Sequence, residues 1–228
     1  MSGAQPQRGG SGGRSAPGQM SLQDSRGIWI KVDGVTRPDD AVAAAEAGFS
    51  AVGMIFAPSR RRVTIQEAKA VRDAIPDGVA AFGVFDDSAP REVGEVAEAL
   101  GLDGVQFPAP LVAGRFLPEG VLVLRTVRVR DTEDLAELER LKCDAVHLDA
   151  YVEGQLGGTG VQAPWDVIAA NRPAVPFVLS GGLRPDNVAE GVRRLRPAGL
   201  DVSSGVEREP GLKEAGAMQA FVAAARGV

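Results

Sequence analysis

Two short runs in the C-terminal part of this 228-residue chain have the makings of an anion site: Leu179-Ser180-Gly181-Gly182-Leu183 and Asp201-Val202-Ser203-Ser204-Gly205-Val206. Each is an apolar run that stops at small residues, the pattern of a buried strand opening into a loop of bare backbone. One helix separates them, so their amides can point at one phosphate. Pro185 after the first suits a first helical turn, and a helix N-terminus adds partial positive charge to those amides. Either loop alone reads as an ordinary strand-to-helix connection, but the pair at this spacing reads as a phosphate cradle built by the last two strands. Three more charged places stand at the ends of apolar runs: Asp33, the run Arg60-Arg61-Arg62, and Asp149. Two carboxylates, an arginine and an anion cradle then face a single mouth, provided that the strands lie parallel in one barrel.

The elements that would place them alternate with little slack. Short apolar runs occur at Ile28–Val32, Ala51–Phe56, Val79–Phe85, Gly104–Phe107, Val121–Val127, Ala145–Leu148, Phe177–Leu179 and Leu200–Val202. Between most of them lie stretches with apolar residues every three or four places: Pro38–Ala47, Thr64–Ile75, Pro90–Leu100, Thr132–Leu141, Asp186–Leu195 and Leu212–Arg226. Asp or Thr tends to stand at their starts, where a cap is needed. Eight strands alternating with helices predict a closed (β/α)8 TIM barrel of the α/β class, in one domain over 27–228. Only Leu111–Leu117 is available as the fourth helix, so it is expected to be short or missing. An open doubly wound sheet has less support, since no G-x-G-x-x-G follows the first strand. Gly154–Gly160 has no Lys-Ser/Thr after it and is not a Walker loop. Residues 1–26 are Gly, Ser, Pro, Gln and Arg with almost nothing to bury, and are expected to be a disordered tail without the apolar core of a secretory signal.

Composition removes several function classes. A net charge of −5 invites neither nucleic acid nor an anionic membrane surface, and no apolar run approaches membrane-spanning length. The single cysteine, Cys143, excludes an internal disulfide and fits a reducing, cytoplasmic location. It reads as packing. Asp39-Asp40 reads as a helix-start pair, Asp86-Asp87 as a loop, and Trp29 and Trp165 as packing.

In this order and spacing the residues resemble the phosphoribosylanthranilate isomerase family of tryptophan biosynthesis. The likeness runs from about Ile28 to the C-terminus. It is carried by Lys31-Val32-Asp33-Gly34-Val35-Thr36-Arg37-Pro38-Asp39-Asp40 and by Gly53-Met54-Ile55-Phe56 leading to Ser59-Arg60-Arg61-Arg62-Val63. Gly83-Val84-Phe85, Leu148-Asp149, Gly157-Gly158-Thr159-Gly160 and Trp165-Asp166 continue it. The two glycine and serine runs close it, with Pro185-Asp186-Asn187-Val188 and Asp201 to Glu207.

The resemblance implies an Amadori rearrangement of an N-linked aminoaldose phosphate, with no metal and no cofactor. A general acid protonates the furanose oxygen, the ring opens to a Schiff base, and a general base removes the proton at C2. The family's acid maps onto Asp149, the arginine that holds the anthranilate carboxylate onto Arg61, and an aspartate near the substrate onto Asp201. The phosphate loops map onto Gly181, Gly182, Ser203, Ser204 and Gly205. The partner is then a small phosphorylated aminosugar, with the chain acting as a monomer or a homodimer.

Two departures stand out. The family's general base is a cysteine, and that place is Asp33. The family's Gln-Leu-His-Gly motif reads Gln106-Phe107-Pro108-Ala109. An aspartate is ionised at neutral pH without help but is a weaker base than a thiolate; burial and the second carboxylate, Asp149, can raise it. A related barrel isomerase of histidine biosynthesis uses an aspartate pair for the same rearrangement. The only histidine, His147, alternates onto the same side of its strand as Asp149; interior group and satisfied core histidine are both open. Two other readings also stay open: a diverged enzyme for a related phosphoribosyl aminosugar in histidine-type or specialised metabolism, and a non-catalytic barrel that binds a phosphorylated ligand.

Overall fold

A computed structural model describes residues 22–87, 90–108, 116–136, 138–153 and 160–228. Eight parallel strands form the barrel: β1 Gly27–Asp33, β2 Ala51–Ile55, β3 Ala80–Val84, β4 Gly104–Pro108, β5 Leu122–Val129, β6 Ala145–Ala150, β7 Phe177–Leu179 and β8 Gly199–Val202. Each pairs with the next, and β1 pairs with β8 through Trp29↔Gly199 to Val32↔Val202, which closes the sheet. Helices α1 Pro38–Ala47, α2 Ile65–Ala74, α3 Pro90–Leu100, α4 Trp165–Ala170, α5 Val188–Leu195 and α6 Ala215–Arg226 surround it. The alternation read in the sequence is therefore a closed barrel. The expected fourth helix at Leu111–Leu117 falls mainly in 109–115, outside the described residues, as do most of the glycine-rich run at 154–159 and residues 1–21.

Strand alternation divides the apolar side chains into two cores. Ile30, Val32, Val52, Met54, Val146, Leu148, Leu179 and Leu200 face outward against the helices. Trp29, Ala51, Phe82, Leu122, Leu124, Ala145 and Val178 fill the N-terminal half of the barrel interior. Trp29 and Phe82 meet edge to face at 5.7 Å, which makes this end a packed floor. Both tryptophans are buried, as packing requires. Among the described residues, polar side chains such as Lys31, Asp33, His147 and Asp201 enter the interior above that floor, towards the C-terminal strand ends.

Local chemistry explains most helix boundaries. Pro38 opens α1 with Asp39 and Asp40 in its first turn, and Gly48 at φ 98° ends it. Thr64 and Glu67 form a capping box on α2. Four expectations need correction. Thr132–Leu141 is two 3-10 turns, Glu133–Leu135 and Leu138–Arg140. Its leucines at 135, 138 and 141 recur every third residue, the period of a 3-10 helix, and Ala136 is extended. Helix α5 starts at Val188 instead of Asp186, because the Asn187 side chain is spent on the preceding turn. Leu212 and Lys213 belong to a hairpin, β9 Glu207–Glu209 with β10 Leu212–Lys213, and α6 starts only after Glu214 has capped Gly216 and Ala217. The chain also joins the barrel before residue 27: Gln23–Asp24 pairs antiparallel with Gly27 and Ile28, and Asp24 Oδ2 accepts from Ser50 Oγ at 2.6 Å.

Candidate active site

The alternation of β1 turns Lys31 and Asp33 inward while Ile30 and Val32 face the helices. Asp33 ends the strand at the mouth. Its carboxylate lies where a side chain on Gly53 would stand; a Cβ there would come 1.9 Å from Asp33 Oδ1, so the adjacent strand must carry glycine at that level. Lys31 Nζ donates to Asp33 Oδ1 and lies 3.1 Å from Asp201 Oδ2. Lys31 and Asp201 are register partners on β1 and β8. From β6, His147 places Nε2 2.7 Å from Asp201 Oδ2 and Nδ1 3.3 Å from Thr126 Oγ1 on β5. A carboxylate can only accept, so Nε2 is assigned the hydrogen. His147 is thus both an interior group and a satisfied one.

This arrangement separates the two β1/β8 carboxylates in proton affinity. Burial and the nearby negative charge of Asp201 push Asp33 up to about 6, against the pull of Lys31. Burial would raise Asp201 too, but Lys31 and the His147 hydrogen bond outweigh it and hold Asp201 well below the usual carboxylate range. The same carboxylates hold the fully buried Lys31 ammonium above its ordinary value despite desolvation. Asp149, at the end of β6, is raised mainly by burial, and its Oδ1 accepts the Ala150 N–H at 2.8 Å. The close carboxylate neighbour of Asp33 is therefore Asp201, where Asp149 was expected. Asp33, His147 and Asp201 bring potential ligand atoms within 4.8 Å of one another, the one such group among the described residues. Lys31 pairs with both of its carboxylates, which makes the group an ion-pair cluster as it stands.

These groups open into a cavity of about 430 Å³ at the C-terminal strand ends. One side is the proposed cradle, lined by Gly160, Gly181, Gly182, Leu183, Ser203 and Ser204. Gly181 and Gly182 have φ of 81° and 62°, a region glycine adopts freely. Asn187 Nδ2 donates to the Gly182 carbonyl, which fixes the turn. Gly205 is not part of the lining; it lets the loop after β8 press on the loop after β7, where its Cβ would meet the Leu183 oxygen at 1.9 Å. The opposite wall is apolar and cationic, with Ile55, Pro58, Phe85, Pro108, Arg60, Arg61 and Arg128. Of the three consecutive arginines only Arg61 is buried. Its Nε and Nη2 hold Glu207 at 2.7–3.0 Å.

Residues 30–224 match the family model described as N-(5'-phosphoribosyl)anthranilate (PRA) isomerase. The chain belongs to the phosphoribosylanthranilate isomerase family. Among relatives bearing that name, the protein of Rubrobacter xylanophilus is 41% identical over 202 residues, 86% of this chain and 98% of the relative. That of Azotobacter vinelandii is 40% identical over 195 residues, 84% and 94% of the two chains. The solved phosphoribosyl anthranilate isomerase of Thermotoga maritima superposes with a TM-score of 0.79 at 32% identity, covering 88% of this chain and 100% of that one. A phosphoribosyl anthranilate isomerase in complex with reduced 1-(o-carboxyphenylamino)-1-deoxyribulose 5-phosphate superposes with a TM-score of 0.77 at 31% identity, with the same coverage.

For a member of the phosphoribosylanthranilate isomerase family, the barrel gathers Asp33, Arg61, Asp149, Gly181, Gly182, Ser203, Ser204 and Asp201 around one cavity. Glu207 and Lys213 were not singled out from the sequence. Lys213 Nζ reaches Glu207 Oε1 at 2.8 Å, the Asp33 carbonyl at 2.5 Å and the Ser203 carbonyl at 3.2 Å. It thereby ties the end of β1 to the loop after β8, while Glu207 ties both to Arg61. Lys31 has the one sequence signal among the missed residues: a lysine two places before Asp33 in an alternating strand must share its interior face. In Gln106-Phe107-Pro108-Ala109, Pro108 lines the cavity, Phe107 packs outward under Arg125 at 5.1 Å, and Ala109 lies outside the described residues. No described helix is long and apolar enough to cross a membrane.

Proposed function

We propose that the chain converts N-(5'-phosphoribosyl)anthranilate to 1-(2-carboxyphenylamino)-1-deoxyribulose 5-phosphate by an Amadori rearrangement, in the cytoplasm and in tryptophan biosynthesis. The observation that carries this reading is one cavity bounded by Asp33 and Asp149, with a glycine-serine cradle on one side and an apolar, arginine-bearing wall on the other. The cradle takes the 5'-phosphate through backbone amides. The wall takes the aryl ring, and Arg61, held by Glu207 through Nε and Nη2, offers Nη1 to the carboxylate.

Burial of Asp149 favours its protonated form, so it gives a proton to the ring oxygen. The bond from C1' to that oxygen breaks as the C1'–nitrogen double bond forms. Asp33, mostly ionised at neutral pH, takes the proton from C2', and the electron pair forms the C1'–C2' double bond of an enol-amine. Asp33 then returns a proton to C1' while the C2' hydroxyl gives its proton to Asp149, leaving a ketone and both carboxyl groups restored. An affinity near 6 suits a group that must both take and return a proton.

The test is the loss of substrate fluorescence on adding the protein. The cradle is tested by Gly182→Val, whose side chain would meet the Gln162 backbone, 2.6 Å from a Cβ, at a positive φ. KM is expected to rise by at least about tenfold, the scale of one lost charge-assisted contact, and inhibition by inorganic phosphate to weaken in parallel. An unchanged KM would place the phosphate elsewhere. A second reading, a related phosphoribosyl aminosugar as substrate, is favoured by one observation: Pro108 forms part of the wall where the family has histidine. The chain works as a monomer or a homodimer; a Thermotoga maritima relative is described as dimeric, with monomers generated from it.

A further inference from the structure

The mechanism above uses Asp33 and leaves its two nearest partners without a task. Lys31 is fully buried, and a lysine is almost never found so unless paired. Its ammonium lies between Asp33 Oδ1 and Asp201 Oδ2, joining the inward faces of β1 and β8. Asp201 has a task for only one of its oxygens: Oδ2 accepts from Lys31 and His147, and buried Oδ1 has no partner among the described residues.

We propose that Lys31 and Asp201 are positioning residues acting in opposition, the ammonium keeping Asp33 able to ionise and the carboxylate keeping it basic, so that an aspartate at the end of β1 can exchange protons near neutral pH. The proposal rests on the reading of Asp33 as the base. Without Lys31, two buried carboxylates in contact would share one proton, and Asp33 would hold it at neutral pH. Without Asp201, the ammonium alone would make Asp33 a strong acid, ionised but poor at taking a proton from carbon. With both present their charges nearly cancel.

The other charged groups around Asp33 are spoken for. His147 from β6, itself bonded to Thr126 of β5, holds Asp201 in place. Lys213 lies on the far side, donating to the Asp33 backbone carbonyl and to Glu207, which is paired with Arg61. Arg128 and Asp149 are register partners at the ends of β5 and β6, across the mouth.

The test reads Asp33 without substrate. Aspartate carboxyl carbons are labelled with 13C, the Asp33 signal is assigned by its loss in Asp33→Asn, and the protein is titrated. Lys31→Met is expected to raise the Asp33 midpoint by about two pH units or more, and Asp201→Asn to lower it by about one or more, the usual scale for one close charge in a buried site. The double variant is expected within about one unit of the natural protein, since both charges leave together. The acid limb of kcat/KM is expected to follow the same order.

Midpoints that move in the same direction, or that stay in place in both single variants, overturn the proposal. If Lys31→Met does not fold, Asp201→Asn decides alone, and a midpoint unchanged or raised overturns it. Shifted midpoints in a protein that does not turn over substrate would instead count against the proposed reaction and leave the charge balance standing.

Discussion

Asp33→Asn is expected to lower kcat on N-(5'-phosphoribosyl)anthranilate by about 10³-fold, within the range for loss of a positioned general base. An amide of the same shape cannot take the C2' proton. It leaves the Lys31 ammonium with Asp201, so the floor of the cavity keeps its charge pair. The cradle is formed by the loops after β7 and β8, and its backbone is fixed by Asn187 and by the close packing of Gly205 on Leu183. Inhibition by inorganic phosphate should therefore be unchanged. Turnover close to that of the natural protein would remove Asp33 from the reaction and favour a different substrate or a rearranged site.

Asp149→Asn carries the second large effect, a fall in kcat of at least about a hundredfold. Burial raises Asp149 so that it can hold a proton for the ring oxygen. Asparagine keeps an acceptor for the Ala150 N–H and so keeps the shape of the strand end. KM should change little. In the natural protein kcat/KM should fall on the alkaline side as Asp149 loses its proton, and the variant should lose that limb. Near-normal turnover, or an alkaline limb that persists in the variant, would assign the acid to another group.

The frame of this site was legible in the sequence because barrel geometry depends on periodic features. Short apolar runs alternating with helical stretches marked all eight strands, and small residues at Gly181, Gly182, Ser203 and Ser204 marked where two of them open. Strand ends then supplied Asp33, Arg61 and Asp149. What escaped depends on closure. Lys31 and Asp201 lie on the first and last strands, 170 positions apart by their numbers, and only the β1–β8 pairing brings them together. Arg61 reaches Glu207 and Lys213 reaches the Asp33 carbonyl by the same closure. Asp40, read as a helix-start residue, is also drawn into this joint, accepting the Lys213 N–H at 3.2 Å. Local exceptions had local causes: a period of three at Leu135, Leu138 and Leu141 selected 3-10 turns. The six-residue helix at Trp165–Ala170 is too short for its periodicity to have been singled out.

The reading of Asp33 as the base, at the place where the resemblance implies a cysteine, is tested most directly by kcat/KM on N-(5'-phosphoribosyl)anthranilate against pH, for the natural protein beside Asp33→Cys. Both are expected to turn over substrate, since each places a proton acceptor at the end of β1. The acid limb of the natural protein is expected near pH 6, where Asp33 gains its proton. That of Asp33→Cys is expected at least about one unit higher, because an ordinary thiol titrates about 4.6 units above an ordinary aspartate and Lys31 offsets only part of that difference. Two coincident acid limbs, or a natural protein that leaves the substrate's fluorescence unchanged, would contradict the account.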